Sequence, residues 1–198
     1  LHLCDQHLSH MKEDKIDSKD NLLLEVSLAA KYEGEYLRIN HPQYQNKYGD
    51  SQICTVLARS FADIGDIIRG KDLYLGYDDK EKDERKKLEN NLIEIFKKIH
   101  DDVMKTRGSN GKKGEIERRY GSDKDFFQLR EDWWEANRQE VWKAITCKAG
   151  GYQYFRPTCV SGEWAKDKCR CKDYKSKAGK GDVNIVPTYF DYVPQYLR

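Results

Sequence analysis

The stretch Asp79–Lys105, DKEKDERKKLENNLIEIFKKIHDDVMK, decides the fold class. Leu88, Leu92, Ile95, Ile99 and Val103 recur at steps of three or four, and a dense mixture of Lys, Glu and Asp lies on the other face. That spacing lays the apolar residues along one face of a helix with 3.6 residues per turn; a strand would need them at every second position. No Gly or Pro interrupts the pattern, and it stops at Gly108-Ser109-Asn110-Gly111, a run suited to a surface turn.

The same periodicity extends outward. Upstream, Ile53, Leu57, Phe61, Ile64 and Ile68 form a second stripe, with Ser51 as an expected N-cap and Gly70 as its end. Downstream, Phe127, Trp134, Val141 and Ile145 predict a helix from about Asp123 to Cys147, capped by Ser122 or Asp123. Leu3–Lys12 and Leu22–Ile39 are also helix-like, the second limited by Gly34 and the His41-Pro42 pair. Strand alternation is absent. The fold expected is all-α: four or five helices joined by long irregular loops. Residues 1–147 form the helical bundle, 148–187 an irregular segment rich in Cys and Lys, and 188–198 the start of a further helix.

Composition narrows the function classes. Of 198 residues, 36 are Lys or Arg and 34 Asp or Glu, a net charge of +2 that attracts neither nucleic acid nor membrane globally. With 12% aromatics the chain can bury a core despite being 35% charged. No apolar run approaches the ~20 residues of a membrane span, and Leu1 opens no leader pattern, so any tether is expected outside this piece. The six cysteines are Cys4, Cys54, Cys147, Cys159, Cys169 and Cys171. An even count with four crowded in a polar tail favours disulfides and an oxidising compartment over free cytosolic thiols, but it selects no pairing.

No cofactor or metal is expected. Cys169 and Cys171 lack the second close ligand pair of a zinc site, and His7 and His10 lack a third ligand. The loop Arg107–Lys113 resembles a phosphate cradle only in part, because Thr106 stands where the leading glycine is needed. Asp63 and Asp66 beside Arg59 and Arg69 read as helix ion pairs, and Trp133 and Trp134 as core. Nothing carries the nucleophile, base and orienting group of an enzyme. What remains is cationic: Lys112, Lys113, Arg118 and Arg119 in one connection, and Lys166, Lys168, Arg170, Lys172, Lys175, Lys177 and Lys180 in the tail. These are candidate contacts for a sulfated glycan or other polyanion, set against the plainer reading of solvated charge.

Longer blocks point further. Leu1-His2-Leu3-Cys4-Asp5, Ala29-Ala30-Lys31-Tyr32-Glu33-Gly34 and the run from Ala58 to Gly70 (ARSFADIGDIIRG) resemble the Duffy-binding-like alpha domain of the variant erythrocyte membrane adhesins of malaria parasites. So do Leu129–Trp134 (LREDWW), Val141–Cys147 (VWKAITC) and Asp191–Arg198 (DYVPQYLR). The resemblance implies a disulfide-stapled helical fold, of which this stretch covers mainly the central helical subdomain, within a membrane-anchored protein displayed on infected red cells. It also implies adhesion to a host cell-surface receptor or glycan on erythrocytes or vessel walls, with rosetting or cytoadherence as the outcome and the flanking domains of a larger adhesin as neighbours. Specificity is expected between the blocks, in 77–86, 107–119 and 166–180. Ser27 stands where the family usually has cysteine, which leaves a thiol without its usual partner. The bridge expected within that family frame is Cys54 with Cys147, tying two helices.

Overall fold

The computed structural model describes residues 8, 11, 16, 18–47, 52–74, 78–107, 113–151, 157–159, 162–165, 168–171 and 186–198, without the side chains of 44–47, 106, 107 and 113. Among them lie helices α1 (Lys19–Lys47), α2 (Ile53–Arg69), α3 (Asp79–Arg107), α4 (Lys113–Tyr120) and α5 (Phe127–Ile145), then 3₁₀ turns at Phe190–Tyr192 and Gln195–Leu197. No strand occurs among the described residues, so the chain is all-α as its periodicity requires. Two compact units result. The first takes 1–4, 27–65 and 138–198; the second takes 5–26 and 66–137.

The helix ends follow from local chemistry. Ser18 caps α1 by accepting the Asn21 N–H at 3.2 Å, and Asp78 caps α3 by accepting that of Glu81 at 2.8 Å. α2 closes in a Schellman motif: the Gly70 N–H reaches Ile67 O (3.2 Å), the Lys71 N–H reaches Asp66 O (2.8 Å), and Gly70 takes the left-handed φ of 71° that this motif needs. Ser51, the expected cap of α2, lies outside the described residues, as does most of the expected helix at 3–12.

Helix boundaries differ from the sequence reading, and one short helix is additional. α1 runs on through Pro42 to Lys47. Pro42 removes one N–H, but His41 beside it is buried, and tertiary packing outweighs one lost backbone bond. α5 begins at Phe127, later than expected, and Asp123 reaches across to accept the Gln128 N–H at 2.7 Å. The short helix α4 is absent from the periodicity, because eight residues carry too few apolar positions to show a period.

In the first unit, Trp142 is the centre. Its ring packs edge-on to Phe61 at 5.1 Å, and its Nε1 donates to the Cys169 carbonyl at 3.1 Å. Gly34 does not limit α1; it admits the backbone of Ile145 so closely that an added Cβ would lie 1.9 Å from that carbonyl oxygen. Ser60 donates to the buried Glu33 at 3.0 Å, joining α2 to α1.

Disulfides Cys54–Cys169 and Cys159–Cys171 hold the tail of this unit. The expected Cys54–Cys147 bridge is therefore corrected. Cys147 sits past the last turn of α5 and is exposed with a free thiol, whereas the Trp142 hydrogen bond brings the Cys169 backbone to the core, with Cα atoms of Cys54 and Cys169 5.6 Å apart. Cys4 lies outside the described residues.

The second unit buries the deciding stripe: Leu88, Leu92, Ile95 and Ile99 are almost inaccessible, with Phe96 beside them, and Val103 is half-buried. Each such side chain contributes roughly 1.5 to 3 kcal/mol on burial. Phe96 meets Trp133 edge-to-face at 6.2 Å.

Candidate functional site

Arg118 and Arg119 occupy the last turn of α4, and Lys113 opens that helix. Arg118 is exposed. Arg119 is committed to Asp132: Nε donates to Oδ2 and Nη2 to Oδ1, both at 2.7 Å, while Tyr120 Oη donates to Oδ2 at 2.7 Å and Gln128 Nε2 to Oδ1 at 3.1 Å. The Arg119 hydrogen bond is the main cause that holds Asp132 below the ordinary carboxylate range, and Asp132 in turn raises the Arg119 guanidinium. Burial, then the bond to Asp132, pushes the Tyr120 phenol up. Of the connection's cations, Arg119 thus serves the link from α4 to α5, and Arg118 is directed to solvent.

In the tail, Lys168 is half-buried with a left-handed φ of 53°. Arg170 caps the end of α5, donating to Lys143 O at 2.6 Å and Thr146 Oγ1 at 2.8 Å. Lys112, Lys166, Lys172, Lys175, Lys177 and Lys180 lie outside the described residues. No cluster of His, Cys, Asp or Glu able to hold a metal occurs among the described residues.

The second unit also contains a feature that sequence reasoning missed, a cavity of about 510 Å³ between the end of α2 and the opening turns of α3. Ile67, Gly70 and Leu88 supply apolar surface, Asp72 and Tyr74 one wall, and Lys82, Arg85, Lys86 and Glu89 the other. Arg85 pairs with Asp72 and lies over the Tyr74 ring at 5.0 Å; the Tyr74 hydroxyl donates to Glu81 at 3.2 Å.

Behind the cavity is Arg130. Wholly buried, it donates from Nε to Ile68 O (2.6 Å), from Nη2 to Ile67 O (3.0 Å) and with both Nη atoms to Glu89 (2.5 and 2.9 Å), between the rings of Phe96 and Phe127 at 5.8 and 5.7 Å. It satisfies the last carbonyls of α2 and fixes Glu89 at once. Among the described residues Lys82 pairs only with exposed Asp79, at 3.3 Å, and Lys86 has no ion pair. The rim is consequently positive while its carboxylates are neutralised. Lys82, Arg85 and Lys86 fall within the stretch 77–86 where specificity is expected, but the cavity itself has no sequence signal, because its walls come from α3 and from the connection that follows α2.

A family model described as Duffy binding domain matches residues 1–198. The chain is similar to the NTS-DBL1(alpha-1) domain of Plasmodium falciparum membrane protein 1 (PfEMP1) from the varO strain, with 36% identity and a TM-score of 0.70 over 99% of this chain and 40% of that one. It is similar also to the varO double domain of NTS-DBL1-alpha and CIDR-gamma: 35% identity, TM-score 0.69, 99% of this chain and 25% of that one. A third likeness is to the PfEMP1 IT4var13 DBLbeta domain bound to ICAM-1: 29% identity, TM-score 0.62, 99% of this chain and 40% of that one. The chain thus spans well under half the length of these structures. No curated protein matches at a comparable level.

Proposed function

This chain belongs to the Duffy binding domain family, and from that premise we propose that it is part of a non-catalytic adhesion module in the extracellular region of a PfEMP1-type protein on the infected red cell. The observation that carries the reading is the family match over all 198 residues. The related PfEMP1 IT4var13 DBLbeta domain, solved bound to ICAM-1, supports it. The partner is a host erythrocyte or vascular receptor, and a sulfated glycan or blood-group sugar is the finer version, with rosetting or cytoadherence as the consequence.

For the glycan version, the contributing cations are Lys112, Lys113, Arg118, Lys166, Lys168, Lys172 and Lys175; Arg119 is less available because Asp132 holds two of its donors. Retention on immobilised heparin should then fall steeply with salt, as polyanion binding does. Charge reversal at Lys112, Lys113 and Arg118 should reduce it. Absent or salt-insensitive retention removes the glycan version, and failure to bind both red cells and vascular endothelial cells, by the chain alone and within the full-length domain, removes the adhesion reading itself.

A further inference from the structure

We propose that the cavity beside Arg130 is a docking pocket for an apolar side chain flanked by carboxylates on a protein partner. The reading draws its biological sense from adhesion, but the pocket's chemistry stands independently. Ile67 and Leu88 give it an apolar interior, and a volume of about 510 Å³ accommodates a large side chain with its neighbouring residues. A sugar would set hydroxyls against these groups, and each hydroxyl left without a hydrogen-bond partner there is penalised.

Charge complementarity selects the flanks. Asp72 is neutralised by Arg85 and Glu89 by Arg130, so neither repels an anion at close range. Lys86 has no ion pair among the described residues and Lys82 only a surface one, which leaves the entrance electropositive. Carboxylates on either side of the inserted side chain would meet these two amines. The walls are also set in advance: Arg130 holds the α2 carbonyls and Glu89 together, and Arg85 is stacked on Tyr74. A preformed pocket spares the ordering cost that weakens flexible sites, and arginine and tyrosine are the residues enriched where binding energy concentrates.

The test titrates the nitrogen-15-labelled chain with the peptide Ac-Trp-Glu-Glu-NH2 and follows amide shifts. Saturable shifts at Gly70, Tyr74 and Leu88 are expected, with weaker binding of Ac-Trp-Lys-Lys-NH2. The double variant Lys82→Glu, Lys86→Glu changes two side chains outside the core and should lower affinity at least about ten-fold without altering the circular dichroism. The proposal is overturned by absent shifts at those amides, by equal affinity for the two peptides, by unchanged affinity of the variant, or by stronger shifts there from glucosamine 6-sulfate. Loss of the adhesion reading registers separately, in the red-cell and endothelial-cell binding assays.

Discussion

Arg138 and Asp191 form a two-pronged ion pair at 2.9 and 2.7 Å with both side chains shut away from solvent, 3% and 0% exposed. Arg138 also donates to Thr188 O at 2.9 Å and lies against the rings of Phe61, Tyr189 and Tyr192 at 5.8, 5.1 and 5.4 Å. One guanidinium therefore fastens the segment 186–198 to α5, and Arg198, donating to Asp63 at 2.9 Å, ties the same segment to α2.

Removing one partner of this pair strands a buried charge. Asp191→Ala should cost about 3 to 5 kcal/mol in urea unfolding, and the double variant Arg138→Met, Asp191→Leu should recover most of that loss. A loss under about 1 kcal/mol for the single variant would show that the ion pair is not what holds the segment.

Gly70 is confined twice over. Its φ is 71°, and an added Cβ would lie 2.6 Å from Phe127 and 2.9 Å from the Arg130 guanidinium. Gly70→Ala should therefore destabilise by more than about 2 kcal/mol, beyond the usual penalty for a left-handed alanine. Arg130→Lys, which keeps the charge but not the fork, should likewise lower the melting temperature.

The disulfide pairing is directly testable. Non-reducing peptide mapping should recover Cys54 linked to Cys169 and Cys159 to Cys171. Cys54→Ala should cost on the order of 2 to 5 kcal/mol because that bridge closes a long loop. Cys147→Ser should change stability by no more than about 0.5 kcal/mol, since its thiol is exposed and unbridged.

Acid should loosen the α4–α5 link. The folded-state pKa of Asp132 is depressed, chiefly by Arg119, so its contribution is present above the ordinary carboxylate pKa of about 3.9 and is lost as pH falls below that value. Asp132→Asn should flatten the stability profile on the acid side of about pH 4 and leave the slope on the neutral side unchanged. An unchanged acid limb would remove Asp132 from the account.

The longer helices are legible because each carries an apolar face that recurs every three or four residues, a property any one segment shows by itself; the eight-residue α4 does not. Leu88, Leu92, Ile95 and Ile99 fall on one helical face by spacing alone, and they are buried accordingly. In the block LREDWW the two tryptophans read as core, whereas the polar residues are legible only as part of a resemblance. Its polar residues have separate tasks: Arg130 closes α2, Glu131 meets Arg69 and Lys71, and Asp132 receives Arg119. Such pairings join residues far apart in the chain, and nothing in local periodicity encodes them.

From sequence alone came the all-α class, the approximate helix extents and the family, since those reside in short-range pattern and word-level similarity. The tertiary structure decided which cysteine Cys54 meets, that Gly34 makes room for the Ile145 carbonyl, that Arg119 and Arg170 serve the fold, and that Lys82 and Lys86 stand at the mouth of a cavity. Each of these depends on distance in space, which six cysteines and 36 cationic residues in a linear chain leave open.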